Sequence, residues 1–125
     1  MTAEASARVK GFLGLCTRAG QLIFGQDACV DAVRAQRAAV VLLDESCSAN
    51  TRKRLEDACR THGIPLYSLA AELIAGAVGK DGRKVAALRP GSMADKMLSL
   101  LAEELTVDSY QLPVSSFQFP ESKPR

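Results

Sequence analysis

The spacing of apolar residues along the chain switches repeatedly between helical and strand-like patterns. Near the start, Val9, Phe12, Leu13 and Cys16 recur at helical spacing. The stretch from about Glu4 to Arg18 therefore predicts an amphipathic helix. Short apolar runs bounded by glycine or proline follow, and such runs indicate strands. The chain thus predicts helices and strands in alternation.

The central part of the chain carries the strongest strand pattern. Val40–Leu43 is continuous, apolar and partly β-branched, which predicts a strand buried on both faces. Ser48 follows as a candidate cap of a helix. That helix is predicted to end at His62-Gly63, with Pro65 just beyond.

The predicted elements alternate throughout residues 4–105, which indicates a layered α/β/α domain with a largely parallel or mixed sheet. We predict a three-layer α/β/α sandwich with a central mixed four-stranded sheet. Residues 1–105 form one predicted domain. Residues 106–125 contain prolines and serines that break any period, and they predict a tail that is disordered or docks on the domain. In chain order the predicted elements are helix 4–18, strand 22–24, helix 26–36, strand 40–43, helix 49–62, strand 66–68, helix 70–78, strand 84–88 and helix 93–105.

Composition excludes a membrane span and leaves nucleic-acid binding open. The longest apolar run, Ala38–Leu43, is far shorter than the ~20 residues of a spanning helix. We therefore expect a cytoplasmic protein with no membrane partner. The net charge of +2 is too small to indicate nucleic-acid binding by itself. The positive charge is nevertheless clustered, at Lys80–Arg89 and at Arg52–Arg54, and we interpret the second cluster as a solvated helix face.

Cysteine and histidine spacing gives no sign of a metal site. Cys16, Cys29, Cys47 and Cys59 form no Cys-x-x-Cys pair, and His62 is the single histidine. We expect buried thiols that act as small hydrophobes, with a disulfide or a reactive thiol as the less favoured alternatives. No metal and no cofactor are predicted.

The usual catalytic and nucleotide-binding motifs are missing from the sequence. Asp44-Glu45, at the end of the best strand, is the one place where paired carboxylates could act in catalysis. Polar residues where a strand leaves the core are the favoured interpretation, so we expect the protein not to be an enzyme. Within residues 1–105 the aromatics are Phe12, Phe24 and Tyr67, which are too few for a base-stacking platform. A nucleic-acid binder with this sequence would read backbone shape and a few base edges.

An ordered series of segments stands out in the sequence: 13–22, Gly25 opening a helix, 40–51, 63–67, and Glu72-Leu73 followed by Gly79-Lys80-Asp81. This series resembles the ribosomal protein L-seven-Ae family, and most closely its small bacterial YlxQ-like branch. The resemblance covers about residues 7–105. It implies the same α/β/α sandwich, the L-thirty-e-like fold, and binding to structured RNA: a kink-turn or related internal loop, with ribosomal RNA as one candidate.

The resemblance also implies which residues contact RNA. In the family, the start of the second helix enters the RNA at tandem sheared G·A pairs, and the loop before the last strand adds contacts. Because glycine has no side chain, the protein backbone can come close to RNA at this position, and the N-terminus of a helix attracts phosphate. Cations in the loop neutralise phosphates. Carried over, the first set is Gly25, Gln26, Asp27, Ala28 and Asp31; the second is Lys80, Asp81, Gly82, Arg83 and Lys84.

Two positions of the second helix depart from the family pattern, and the loop that is apolar in the family is here the polar run Lys80-Asp81-Gly82-Arg83. Ala28 stands where the family has a glutamate, and Asp31 stands where it often has a lysine. One acceptor for a base edge is therefore absent, and one phosphate attraction becomes a repulsion. These departures leave an alternative open, in which the protein keeps the fold as a protein-interaction module and has lost kink-turn recognition.

Overall fold

The computed structural model describes residues 3–79 and 83–104, and it confirms the alternation of helices and strands. Residues 80–82 of the predicted RNA-contacting loop and the predicted tail at 106–125 lie outside the described residues. The helices are α1 Ala3–Arg18, α2 Gln26–Arg34, α3 Ala49–His62, α4 Leu73–Val78 and α5 Ser92–Glu104. The strands are β1 Leu22–Phe24, β2 Val40–Asp44, β3 Leu66–Leu69 and β4 Val85–Leu88.

The four strands form one mixed sheet in the order β1-β4-β2-β3. Strand β2 pairs in parallel with β3, and Leu42 lies opposite Tyr67. Strand β4 is antiparallel to both of its neighbours, with Ala86 opposite Leu42 and Ala87 opposite Ile23. The predicted mixed four-stranded sheet is confirmed.

Alternate residues of β2 build two separate cores. Val40 and Leu42 point to one face of the sheet, and Val41 and Leu43 point to the other. Because both faces are covered by helices, Val40–Leu43 are buried, as their continuous apolar pattern predicts, and the strand extends to Asp44, which is buried as well. The first core adds Val9, Leu13 and Cys16 of α1, Leu73 and Ile74 of α4, and Ala94, Met97 and Leu101 of α5. The second adds Cys29, Val30, Ala32 and Val33 of α2, and Leu55 and Cys59 of α3.

The caps of α3 match their prediction. The Ser48 side chain accepts a hydrogen bond from the Thr51 amide at 3.1 Å, which satisfies one of the first free amides of the helix. At the other end Gly63 adopts the left-handed conformation, with φ 70°. Both ends of α3 are therefore set by local sequence.

Helix α4 begins three residues later than the sequence predicts. Residues 70–72 form a turn, in which Glu72 has a left-handed φ of 68°. The Glu72 amide donates a hydrogen bond to Asp44 Oδ2 at 2.7 Å, so a residue of strand β2 holds this turn in place. Helix α2 is also shorter than predicted: it ends at Arg34, and Gln36 is left-handed with φ 61°.

The strand directions place several chain segments at one edge of the sheet. Strands β1, β2 and β3 all run toward this edge, and β4 starts there. Helices α2 and α3 follow β1 and β2, so both begin at the same edge. We call it the Gly25 edge, after the residue that joins β1 to α2.

Candidate nucleic-acid interface

The backbone at Gly25 makes the sharp change from β1 to α2. Its φ of 99° and ψ of 147° lie in a region that is open essentially only to glycine. Its amide donates to the carbonyl oxygen of Val85 at 3.3 Å, which ties the start of α2 to the start of β4. A Cβ at this position would meet no atom within 4 Å, so the turn is open to an approaching ligand.

The first turn of α2 presents backbone donors. The first helical hydrogen bond runs from the Cys29 amide to the Gly25 carbonyl at 2.9 Å. Within residues 3–79 and 83–104, no side chain caps the amides that precede Cys29. Free amides and the positive end of the helix dipole favour an anion here. This geometry fits the phosphate contact that the resemblance implies.

Helix α3 supplies partners for both polar side chains of that turn. The Thr51 hydroxyl donates to Gln26 Oε1 at 2.7 Å. Arg54 Nη1 donates to Asp27 Oδ1 at 3.0 Å, and the two side chains remain 42 % and 85 % exposed. The first turn of α2 is therefore held in place from the side by α3.

The remaining predicted positions of α2 lie on its solvent side. Ala28 and Asp31 are exposed, whereas Cys29 and Val30 point into the core. Neither Ala28 nor Asp31 brings a positive charge to the Gly25 edge. The departures from the family pattern thus fall on accessible surface.

Of the predicted basic loop, the described part lies next to β1. Lys80, Asp81 and Gly82 lie outside the described residues. Arg83 places its guanidinium carbon 5.0 Å from the centre of the Phe24 ring, which is a cation–π contact. Lys84 is exposed. The two predicted segments therefore meet where Arg83 covers Phe24, the residue before Gly25.

The sequence interpretation missed Phe24, Thr51 and Arg54 as parts of this surface. The run Arg52–Arg54 was expected to be a solvated helix face. Arg52 and Lys53 do pair within α3, with Glu56 at 3.8 Å and Asp57 at 3.5 Å, and Arg52 Nη2 also donates to Ser68 Oγ of β3 at 3.1 Å. Arg54 instead reaches α2. Helical spacing placed Arg54 one turn after Thr51, but nothing in the local pattern identified the helix that they face.

The paired carboxylates Asp44-Glu45 form a structural joint. Asp44 Oδ1 accepts hydrogen bonds from the Ser46 amide at 2.7 Å and the Ser46 hydroxyl at 2.6 Å, while Oδ2 accepts the Glu72 amide. Burial alone would raise the pKa of Asp44, but these hydrogen bonds outweigh it and hold the pKa below its ordinary value. Glu45 Oε2 accepts the Ala71 amide at 3.3 Å. Both carboxylates therefore hold the turn at residues 70–72.

Three of the four cysteines are the buried core residues that the sequence predicts, whereas Cys47 is only partly buried. All four are free, and Cys16, Cys29 and Cys59 are buried. Burial raises the pKa of both the Cys29 and the Cys59 thiols to about 12. Among the described residues, no cluster of histidine, cysteine and carboxylate side chains has the geometry of a metal site. In the same part of the chain, no helix is long and apolar enough to cross a bilayer.

Residues 7–111 match the profile of the ribosomal protein L7Ae/L30e/S12e/Gadd45 family. The chain belongs to this family. The resemblance inferred from the sequence is confirmed, and so is the expectation that the protein is not an enzyme, because the matched family is described by ribosomal proteins and the relatives below by RNA binding.

Individual relatives support the same assignment. The RNA-binding protein YlxQ of Bacillus subtilis is 36 % identical over 90 residues, which is 71 % of this chain and 90 % of the relative. The RNA-binding protein YlxQ of Enterococcus faecium is 30 % identical over 95 residues, or 75 % of this chain and 91 % of the relative. The chain therefore spans nearly the full length of both relatives and belongs to the YlxQ-like branch.

Solved structures confirm the fold. A Bacillus halodurans protein of unknown function superposes with a TM-score of 0.72 at 29 % identity, over 76 % of this chain and 97 % of that one. The Giardia lamblia 15.5kD RNA binding protein superposes with a TM-score of 0.67 at 13 % identity, over 85 % of this chain and 91 % of that one. At 13 % identity the second likeness concerns the fold alone.

Proposed function

We propose that the protein is a non-catalytic RNA-binding protein that reads structured RNA at the Gly25 edge. Two relatives that share nearly their whole length with this chain are RNA-binding proteins, which supports RNA as the ligand class. The contacting elements are the N-terminus of α2 and the loop before β4. A cytoplasmic location, near ribosomal RNA, fits this role.

The observation that carries the proposal is the junction between these two elements. The Gly25 amide bonds to Val85, and Arg83 covers Phe24, so the two segments form one surface. The uncapped amides of α2, together with Arg83 and Lys84, supply donors and positive charge for phosphates. This surface binds the RNA backbone without a stacking platform.

Recognition of bases falls to the first turn of α2. Because the Thr51 hydroxyl occupies Gln26 Oε1, the amide group of Gln26 remains a donor for base acceptors. The Asp27 carboxylate is 85 % exposed and accepts hydrogen bonds from base amino groups. A kink-turn splays its backbone around tandem G·A pairs and exposes such edges. We therefore propose that the first turn of α2 contacts those pairs.

The proposal is tested by titrating the purified protein into two fluorescein-labelled RNAs at several salt concentrations. One RNA is a hairpin with a kink-turn, and the other is an unbent duplex hairpin of equal length. We expect tighter binding to the kink-turn, with an affinity that falls as salt rises. Equal, weak binding to both RNAs would contradict kink-turn recognition. No binding to either would contradict the function itself.

A second candidate function is supported by the exposed face of α2. Ala28 offers no acceptor to a base, and Asp31 adds an exposed negative charge near the first turn. Such a surface suits a protein partner better than a polyanion. If protein partners remain bound to the tagged protein after nuclease treatment, while neither RNA binds in titration, this second function replaces the first.

A further inference from the structure

The basic run at the start of α3 divides into residues with different partners. Arg52 and Lys53 pair with carboxylates one turn later on α3 itself, at 3.8 Å and 3.5 Å. Arg54 crosses to α2 and bonds to Asp27 at 3.0 Å. Within the described residues, Arg54 is thus the member of the run that lies at the first turn of α2.

The Arg54–Asp27 contact contributes little to folding, because exposed ion pairs contribute little to stability. Its effect is on the charge of the Gly25 edge. The start of α2 carries two acids, Asp27 and Asp31, which would repel an RNA backbone. Arg54 neutralises Asp27 directly. The pair leaves the positive end of the helix dipole accessible to a phosphate.

The guanidinium of Arg54 keeps most of its hydrogen-bonding capacity. An arginine side chain has five N–H donors in a planar fork, and Asp27 takes one of them. With 42 % of the side chain exposed, the other donors are accessible at the surface. A planar fork that is already oriented by a carboxylate is well suited to bind a phosphate through two hydrogen bonds.

From this geometry we infer that α3 is a third RNA-contacting element, with Arg54 as its phosphate-binding residue. Asp27 orients Arg54, and Thr51, one turn earlier, orients Gln26. The first turn of α2 and the face of α3 that carries Thr51 and Arg54 then form one binding wall. This inference rests on the proposed RNA-binding function and adds to it residues outside the α2 start and the β4 loop.

The test compares Arg54→Ala with Lys53→Ala. Both changes remove one positive charge and one exposed ion pair from adjacent positions of α3, so their effects on folding and on net charge are matched. Each variant and the wild type are titrated into the labelled kink-turn and duplex hairpins at several salt concentrations. Thermal unfolding verifies that both variants fold.

We expect Arg54→Ala to weaken RNA binding roughly tenfold, as for loss of a charged hydrogen bond. The slope of log affinity against log salt concentration should become shallower by about one. Lys53→Ala should stay close to the wild type. If Arg54→Ala and Lys53→Ala bind with the same affinity and slope, the inference is wrong while RNA binding stands. Failure of the wild type to bind either RNA would instead overturn the proposed function and this inference with it.

Discussion

The guanidinium of Arg83 lies 5.0 Å from the centre of the Phe24 ring. These residues are far apart in the sequence but adjacent in the fold, because β1 and β4 are paired and both have an end at the Gly25 edge. The contact fixes a cation beside the turn that opens α2. Arg83 is therefore oriented before any ligand arrives, which reduces the entropy lost on binding.

Removing the basic residues before β4 should weaken RNA binding. Arg83→Ala combined with Lys84→Ala deletes two candidate phosphate contacts, so the salt slope should fall by about one to two. The matched control is Arg37→Ala with Arg89→Ala, which removes the same charge from the opposite edge of the sheet. Titration of the kink-turn hairpin across salt measures both. Equal slopes for the two double variants would exclude the β4 loop from the interface.

Replacing Gly25 by alanine should destabilise the fold even though the site has room. No atom lies within 4 Å of the added Cβ, but a φ of 99° is strained for any L-residue. We expect a loss of about 1–3 kcal/mol in the free energy of unfolding. Gly11, exposed in α1 with equal space around it, is the matched control.

Gly11→Ala should instead raise the free energy of unfolding, because alanine is favoured over glycine inside a helix by about 0.5–1 kcal/mol. Urea unfolding of both variants gives the comparison. Equal stability of Gly25→Ala and the wild type would show that the turn relaxes to another conformation. The glycine is thus required by the backbone itself, apart from any RNA contact.

The elements and their layers follow from local pattern. The continuous run Val40–Leu43 predicted a strand covered on both faces, and its alternate residues do enter two cores. Ser48 and Gly63 predicted the ends of α3 because capping depends on neighbouring backbone groups. Such features involve residues a few positions apart, so sequence is sufficient to place them.

The contacts that shape the candidate site join residues distant in sequence. Arg54 and Asp27 are 27 positions apart, and Asp44 and Glu72 are 28 apart. Helical spacing gives the face on which Arg54 lies, but the acid that it meets depends on how α3 packs against α2. The late start of α4 was unpredictable for the same reason, because Asp44 holds the preceding turn.

Thiol reactivity should separate Cys47 from the three core cysteines. Cys16, Cys29 and Cys59 are buried, and the pKa of the last two is raised to about 12. The thiolate is the reactive form, so these thiols should be inert to a disulfide reagent in the native state. We expect one thiol per chain to react rapidly near pH 8, and all four after unfolding. In Cys47→Ser the rapid reaction should vanish; if it persists, a core thiol is accessible.

Acid should weaken the joint that Asp44 makes between β2 and the turn before α4. The pKa of this carboxyl is held below the 3.8 of an unfolded chain, so its contribution to stability is complete above about pH 5. The contribution is lost as the pH falls through the lower, folded-state pKa. Asp44→Asn replaces one acceptor by a donor that faces an amide, and should lower the free energy of unfolding at pH 7 by about 1–3 kcal/mol.

The difference in unfolding free energy between wild type and Asp44→Asn should therefore narrow as the pH falls from 5 to 3, because protonation of this carboxyl in the unfolded chain then favours unfolding of the wild type. Urea unfolding at pH 7, 5 and 3 measures it, with Glu45→Gln as the control. Glu45 is exposed and accepts one longer hydrogen bond, at 3.3 Å, so its variant should differ little from the wild type at any pH. A constant difference for Asp44→Asn across this range would mean that the asparagine side chain destabilises the turn through its shape. The charge of Asp44 would then not stabilise the turn.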